Sequence, residues 1–127
     1  MKQFGLGGFA AMRCEDINGT QIVTVGGEVD LATAPRLRDL ISRAMGEAGS
    51  DPPRVVVDLL AVEFIDTAGL EVLLEKWSML RRLAGNLRLV ACEGPVTRLL
   101  EVTGLEGAFD GDLYMDLGAA VRSPVPV

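Results

Sequence analysis

Residues 54–60, RVVVDLL, are apolar up to Asp58 and again beyond it. A β-branched run of that length is a strand, and a strand with so little polar surface is covered on both faces. The chain supplies a cover directly. After VEFIDTAG comes LEVLLEKWSML, where Leu70, Leu73, Leu74, Trp77, Leu80 and Ala84 recur at helical spacing. Glu71 and Glu75 lie toward the start of this helix and Arg81 and Arg82 toward its end, as the helix dipole favours. Gly85-Asn86 marks the stop.

The same alternation continues on either side. GFAAMRCED (8–16) and TQIVTVGGEV (20–29) read as two strands, joined by Asn18-Gly19, the strongest hairpin signal in the chain. Val23, Val25, Gly27 and Val29 share one face of the second strand. In DLATAPRLRDLISRAMGEAG, Leu37, Leu40, Ile41, Ala44, Met45 and Ala48 form a helical stripe, with Thr33 as the expected cap, Pro35 in the first turn and Gly49 to Pro53 as the end. LRLVAC (87–92) is a further strand. GPVTRLLEVTGL is a short helix, with Gly104 at the position after its cap and Leu105 in contact as in a Schellman motif. DLYM (112–115) is a brief fifth strand, and DLGAAVRS is a last helix capped by Asp116. The order β-β-α-β-α-β-α-β-α predicts one α/β domain spanning 1–127, with its core in 8–122 and short flexible ends. Its sheet of four to five strands is mixed but mostly parallel.

Composition removes several function classes. The chain has 127 residues, 49% of them apolar, enough for one core without staples. It contains no histidine, so neither a Ser-His-Asp nor a Cys-His nucleophile nor a His-bearing zinc site fits. Cys14 and Cys92 are too few for an all-Cys metal site and read as buried thiols. The net charge of −6, without a basic stripe, argues against a nucleic-acid partner. No apolar run reaches membrane-spanning length and the first residues lack a signal-peptide core, so the expected compartment is the cytoplasm. No metal and no cofactor is expected.

In parallel sheets, sites form where strands hand over to helices at their carboxyl ends. GEVDLATA and EFIDTAG are two such loops, which brings Asp30, Asp66 and Thr67 to one end of the sheet. Two readings stand for Thr67: a helix N-cap, a role Asp66 could also fill, or a hydroxyl that accepts phosphate at a helix N-terminus. Asp30 either holds loop amides or meets a cation on a partner. Asp58 reads as a turn former.

GEVDLATAPRLRDLI, VVVDLLAVEFIDTAGLEVLLE and LRLVACEGPVTRLLEVTGL resemble the bacterial anti-sigma factor antagonists, the stand-alone STAS domains. The resemblance spans roughly residues 8–122, with GEVD and FIDTAGL its most specific parts. It implies a non-enzymatic partner switch. The unmodified chain binds an anti-sigma factor that is a serine/threonine protein kinase, which frees a sigma factor. Phosphorylation by that kinase, at the position of Thr67, ends binding, and a phosphatase resets the chain. The resemblance assigns Asp30, Asp66, Thr67 and Gly69 to the partner-facing set. Many family members carry Ser where Thr67 stands and a second Ser where Ala68 stands. Related domains also serve as unphosphorylated scaffolds or as parts of transporters, which is the alternative reading.

A phosphoaspartate receiver, with Asp58 as acceptor, would need an acid pair after the first strand and a lysine at the fifth. The only lysines are Lys2 and Lys76, and Lys76 falls mid-helix. GLGG (5–8) precedes the first strand instead of joining a strand to a helix, so it is no phosphate loop.

Overall fold

A computed structural model describes residues 9–47 and 52–124. Readings that fall on the N-terminal GLGG, on Ala48 to Ser50 and on the last three residues lie outside these. The elements are β1 (Ala10–Ile17), β2 (Thr20–Val29), α1 (Ala34–Glu47), β3 (Arg54–Ile65), α2 (Thr67–Arg82), β4 (Asn86–Val90), α3 (Pro95–Val102), β5 (Leu113–Tyr114) and α4 (Leu117–Arg122). The order is the one the sequence predicts.

The five strands lie side by side in chain order, β1 antiparallel to β2 and every later pair parallel. The hairpin turn has φ of 52° at Asn18 and 89° at Gly19, the two positive values a type I′ turn needs. The valines of β2 and β3 that point to one face, among them Val23, Val25, Val55 and Val57, pack beneath Leu37, Ile41 and Ala44 of α1 and Leu70, Leu73 and Leu80 of α2. Val96 and Leu100 of α3 and Phe109 complete that side. The other face is covered by α4, whose Ala120 packs with Ile22, Val56 and Val90. A strand buried on both sides is thus matched by helices on both sides, as the apolar run of β3 demands.

Several local expectations change. β3 neither turns at Asp58 nor stops at Leu60 but runs on to Ile65. Its register against β2 slips between Thr24 and Gly26 and again between Gly27 and Glu28, and each time β3 carries one residue more. At the first slip Asp58 Oδ1 accepts the Leu60 N–H at 3.0 Å, so the predicted turn former serves a bulge inside the strand. The left-handed residue after α2 is Ala84, with φ of 59°, and its side chain is exposed rather than in the core. Gly85 is needed for a different reason: a Cβ there would run into the Pro53 carbonyl, which accepts the Asn86 N–H at 2.9 Å. Trp77 is half-buried, edge-on to Phe109 with centroids 5.7 Å apart, and its Nε1 donates to Asp112 at 2.9 Å. Neither cysteine is in a disulfide; Cys14 is half-buried, whereas Cys92 is exposed, against expectation, because β4 ends at Val90 before reaching it.

The end of α3 follows the sequence reading closely. Gly104 has φ of 73°, its N–H reaches Glu101 O at 3.1 Å, and Leu105 N–H reaches Leu100 O at 2.7 Å. Asp116 caps α4 by accepting the Ala119 N–H at 2.8 Å.

Gly69 sets how closely α2 lies on the sheet. A Cβ at this position would stand 2.7 Å from Val29 Cγ1 and 2.9 Å from Ile65 Cγ1. In an exposed helix, glycine to alanine gains up to about 1 kcal/mol. Here we expect the opposite sign: Gly69→Ala lowers unfolding free energy by roughly 1–3 kcal/mol in urea denaturation, through overpacking.

Candidate functional site at the carboxyl ends of β2 and β3

Val29 pairs with Ile65 as the last rung between the two strands, and the Asp66 N–H donates to Val29 O at 3.1 Å. The loops that leave β2 and β3 therefore start side by side. Asp30, Asp66 and Thr67 come together at one end of the sheet, as the sequence predicts.

Each aspartate organises its own loop with one carboxylate oxygen. Asp30 Oδ1 accepts the N–H groups of Ala32 at 3.0 Å and Thr33 at 3.1 Å. Its backbone carbonyl takes the N–H of Thr33 at 3.1 Å and of Ala34 at 2.8 Å. Thr33 stands where α1 begins, but its hydroxyl does not cap that helix. It accepts the Asp30 N–H at 2.9 Å and donates to Glu28 O at 2.8 Å. Thr33 is buried by this inward turn, 3% exposed.

Asp66 resolves the two readings of the FIDTAG corner as far as capping goes. It is the N-cap of α2: Oδ1 accepts the Ala68 N–H at 2.9 Å and the Gly69 N–H at 3.4 Å. Its extended backbone, φ −112° and ψ −173°, is that of a cap residue. Its own N–H is taken by Val29, so three of the four donors that a helix start leaves open are satisfied. The Thr67 N–H is not among them. Thr67 is the first residue of the helix and is exposed, and its hydroxyl makes no hydrogen bond among the described residues. Asp30 Oδ2 and Asp66 Oδ2 likewise take no hydrogen bond among the described residues.

Gly69 departs from the expected partner-facing set. It is buried against Val29 and Ile65, where its missing side chain admits the helix to the sheet. Leu31, between Asp30 and Ala32, is 79% exposed; the sequence reading passed over it, since one leucine in a polar loop carries no periodic signal. Lys76 was also passed over as a structural residue. It is only 4% exposed, with Nζ 2.7 Å from Ser42 Oγ and 3.8 Å from Glu75 Oε2, and it joins α2 to α1.

Among the described residues no group of three or more acids or cysteines is placed to hold a metal ion, and no helix is long and apolar enough to cross a membrane.

A five-stranded mixed sheet with a capped helix start at the β2–β3 end defines an α/β domain of the STAS type. The STAS domain family matches residues 11–120, and the chain belongs to that family. It is 35% identical over 97 residues to the anti-sigma-F factor antagonist RsfB of Mycobacterium tuberculosis, covering 74% of either chain. It is 31% identical over 88 residues to the anti-sigma-B factor antagonist of Bacillus subtilis, covering 69% of this chain and 77% of that protein. Among solved structures, an anti-sigma factor antagonist from Mycobacterium paratuberculosis superimposes with a TM-score of 0.75 at 34% identity, over 89% of this chain and 92% of that one.

The capping assignment is tested by two substitutions. Asp66→Ala is expected to cost about 1 kcal/mol of unfolding free energy, the usual value of a lost N-cap. Thr67→Ala is expected to stay within about 0.5 kcal/mol, as for other exposed positions. Urea denaturation of both variants reads the difference; the reverse ranking would return the cap to Thr67.

Proposed function

We propose that this chain is an anti-sigma factor antagonist that works by partner switching. In its unmodified form it binds an anti-sigma factor that is a serine/threonine kinase, in the cytoplasm, and so releases a sigma factor for transcription. The kinase then transfers phosphate from ATP to the Thr67 hydroxyl, the complex separates, and a phosphatase restores the hydroxyl.

The observation that carries this reading is the division of labour at the start of α2. Asp66 caps the helix, which leaves Thr67 exposed with an unused hydroxyl beside it. A kinase requires an acceptor that is accessible and not tied into the fold, and Thr67 meets both conditions. The names of the relatives support an anti-sigma factor as the partner. Asp30 and Asp66, each with one carboxylate oxygen free, are suited to cations on the partner.

The electrostatics suffices for a switch. A phosphate adds about −1.5 to −2 charges. Two unit charges about 6 Å apart at an effective dielectric near 20 repel by roughly 3 kcal/mol. That is on the order of a hundredfold in affinity. The helix itself tolerates the dianion, because negative charge suits an N-terminus.

Incubation of the purified chain with candidate anti-sigma factor kinases and ATP, followed by mass spectrometry, is expected to find phosphate on Thr67 and loss of the complex. Phosphate confined to other residues would remove Thr67 from the mechanism. Thr67→Ala should bind the kinase and resist release by ATP, and Thr67→Glu should bind roughly a hundredfold more weakly. A folded Thr67→Glu chain with unchanged affinity would exclude the charge mechanism.

A further inference from the structure

We propose that Leu31 is the apolar anchor by which the unmodified chain grips its anti-sigma factor, seated in an apolar pocket with a cationic rim; this rests on the function proposed above. At 79% exposure Leu31 packs against almost nothing in the chain. Yet the backbone on both sides of it is fixed. Asp30 Oδ1 holds the amides of Ala32 and Thr33 at 3.0 and 3.1 Å, and the Thr33 hydroxyl holds the Asp30 amide at 2.9 Å. A pinned loop that displays an aliphatic side chain loses little entropy when that side chain is buried by a partner.

At this end of the sheet Phe9 and Phe64 are also exposed, at 50% and 49%, but Leu31 is the most open of the three. The loop begins at Val29, which is bonded to Asp66, so Leu31 is continuous with the surface that carries Thr67. Val102 is as exposed, at 84%, but lies at the end of α3, which carries the chain back from the carboxyl end of β4 so that β5 can run parallel to it. Val102 thus lies on neither of the loops that leave β2 and β3. The charges around Leu31 specify the rim of its pocket. Asp30 and Asp66 each offer a free carboxylate oxygen, and Glu71 is exposed on the first turns of α2. An apolar side chain on a surface that carries these carboxylates matches an apolar pocket edged by lysine or arginine. Leu31 thus supplies affinity, and Thr67 supplies the switch.

The test is titration of wild type, Leu31→Ala, Leu31→Met and Val102→Ala into the purified anti-sigma factor kinase that modifies Thr67, with thermal melts of each chain. The expected result is a loss of about tenfold or more for Leu31→Ala. Its melting temperature should be unchanged, Leu31→Met should retain binding and Val102→Ala should bind as wild type. Phosphorylation of Thr67 should weaken wild type and Leu31→Ala by the same factor. Equal affinity of Leu31→Ala and wild type, or an equal loss for Val102→Ala, overturns the anchor and leaves the proposed function standing. Failure of the wild-type chain to bind any anti-sigma factor kinase overturns both.

Discussion

The last rung between β2 and β3, Val29 against Ile65 with the Asp66 N–H on Val29 O, is the constraint from which the functional end of the molecule follows. It fixes where two loops leave the sheet and so sets Asp30 beside Asp66. It also forms the floor on which α2 starts. The missing side chain of Gly69 lets the helix settle onto the Val29 and Ile65 side chains at a distance no other residue would allow. That rung in turn depends on the two extra residues that β3 carries against β2. Without those bulges Ile65 would fall out of step with Val29, and the helix start would be aimed elsewhere.

Much of this was legible in the sequence, and the reasons are local ones. The Asn18-Gly19 hairpin, the Gly104 and Leu105 end of α3 and the Asp116 cap each depend on a few adjacent residues whose backbone needs are nearly fixed by type. The helix faces were legible because periodicity survives burial. Asp58 was misread because the same side-chain bond to an amide two residues on serves a turn and a bulge equally well. Which of two adjacent residues caps α2 was not decidable from type, since both Asp and Thr cap well. The choice is made by tertiary pairing, which places Asp66 in extended backbone against Val29. Lys76 defied its type altogether: the packing of α1 against α2, with Ser42 opposite and the Glu75 carboxylate 3.8 Å away, makes a buried ammonium acceptable there.

The two aspartates at this end play a double part that composition alone would not suggest. Each spends one carboxylate oxygen on amides of its own loop and keeps the other unbonded among the described residues. A carboxylate immobilised in this way loses little freedom when it meets a cation, unlike a long surface acid that must first be ordered. Removing either group would disturb the loop as well as the proposed contact. Variants of Thr67 and Leu31, which hold nothing in place, therefore separate binding from folding more cleanly than variants of Asp30 or Asp66.

The geometry also dictates where any addition to Thr67 must go. The helix cannot retreat toward the sheet, because at Gly69 even one methyl group would overlap Val29 and Ile65. Nor can a new anion take the amides of Ala68 and Gly69 without displacing the Asp66 carboxylate that already occupies them. A group attached to Thr67 can take the open Thr67 N–H and otherwise points outward, next to a like-charged carboxylate and, in the proposed complex, toward the partner. The cap and the dipole suit a negative charge there, whereas in the proposed mechanism a docked surface does not. In the proposed switch the scaffold is stiff where stiffness would turn a small covalent change into a steric and electrostatic conflict with the partner, and the same stiffness would keep the modified chain folded.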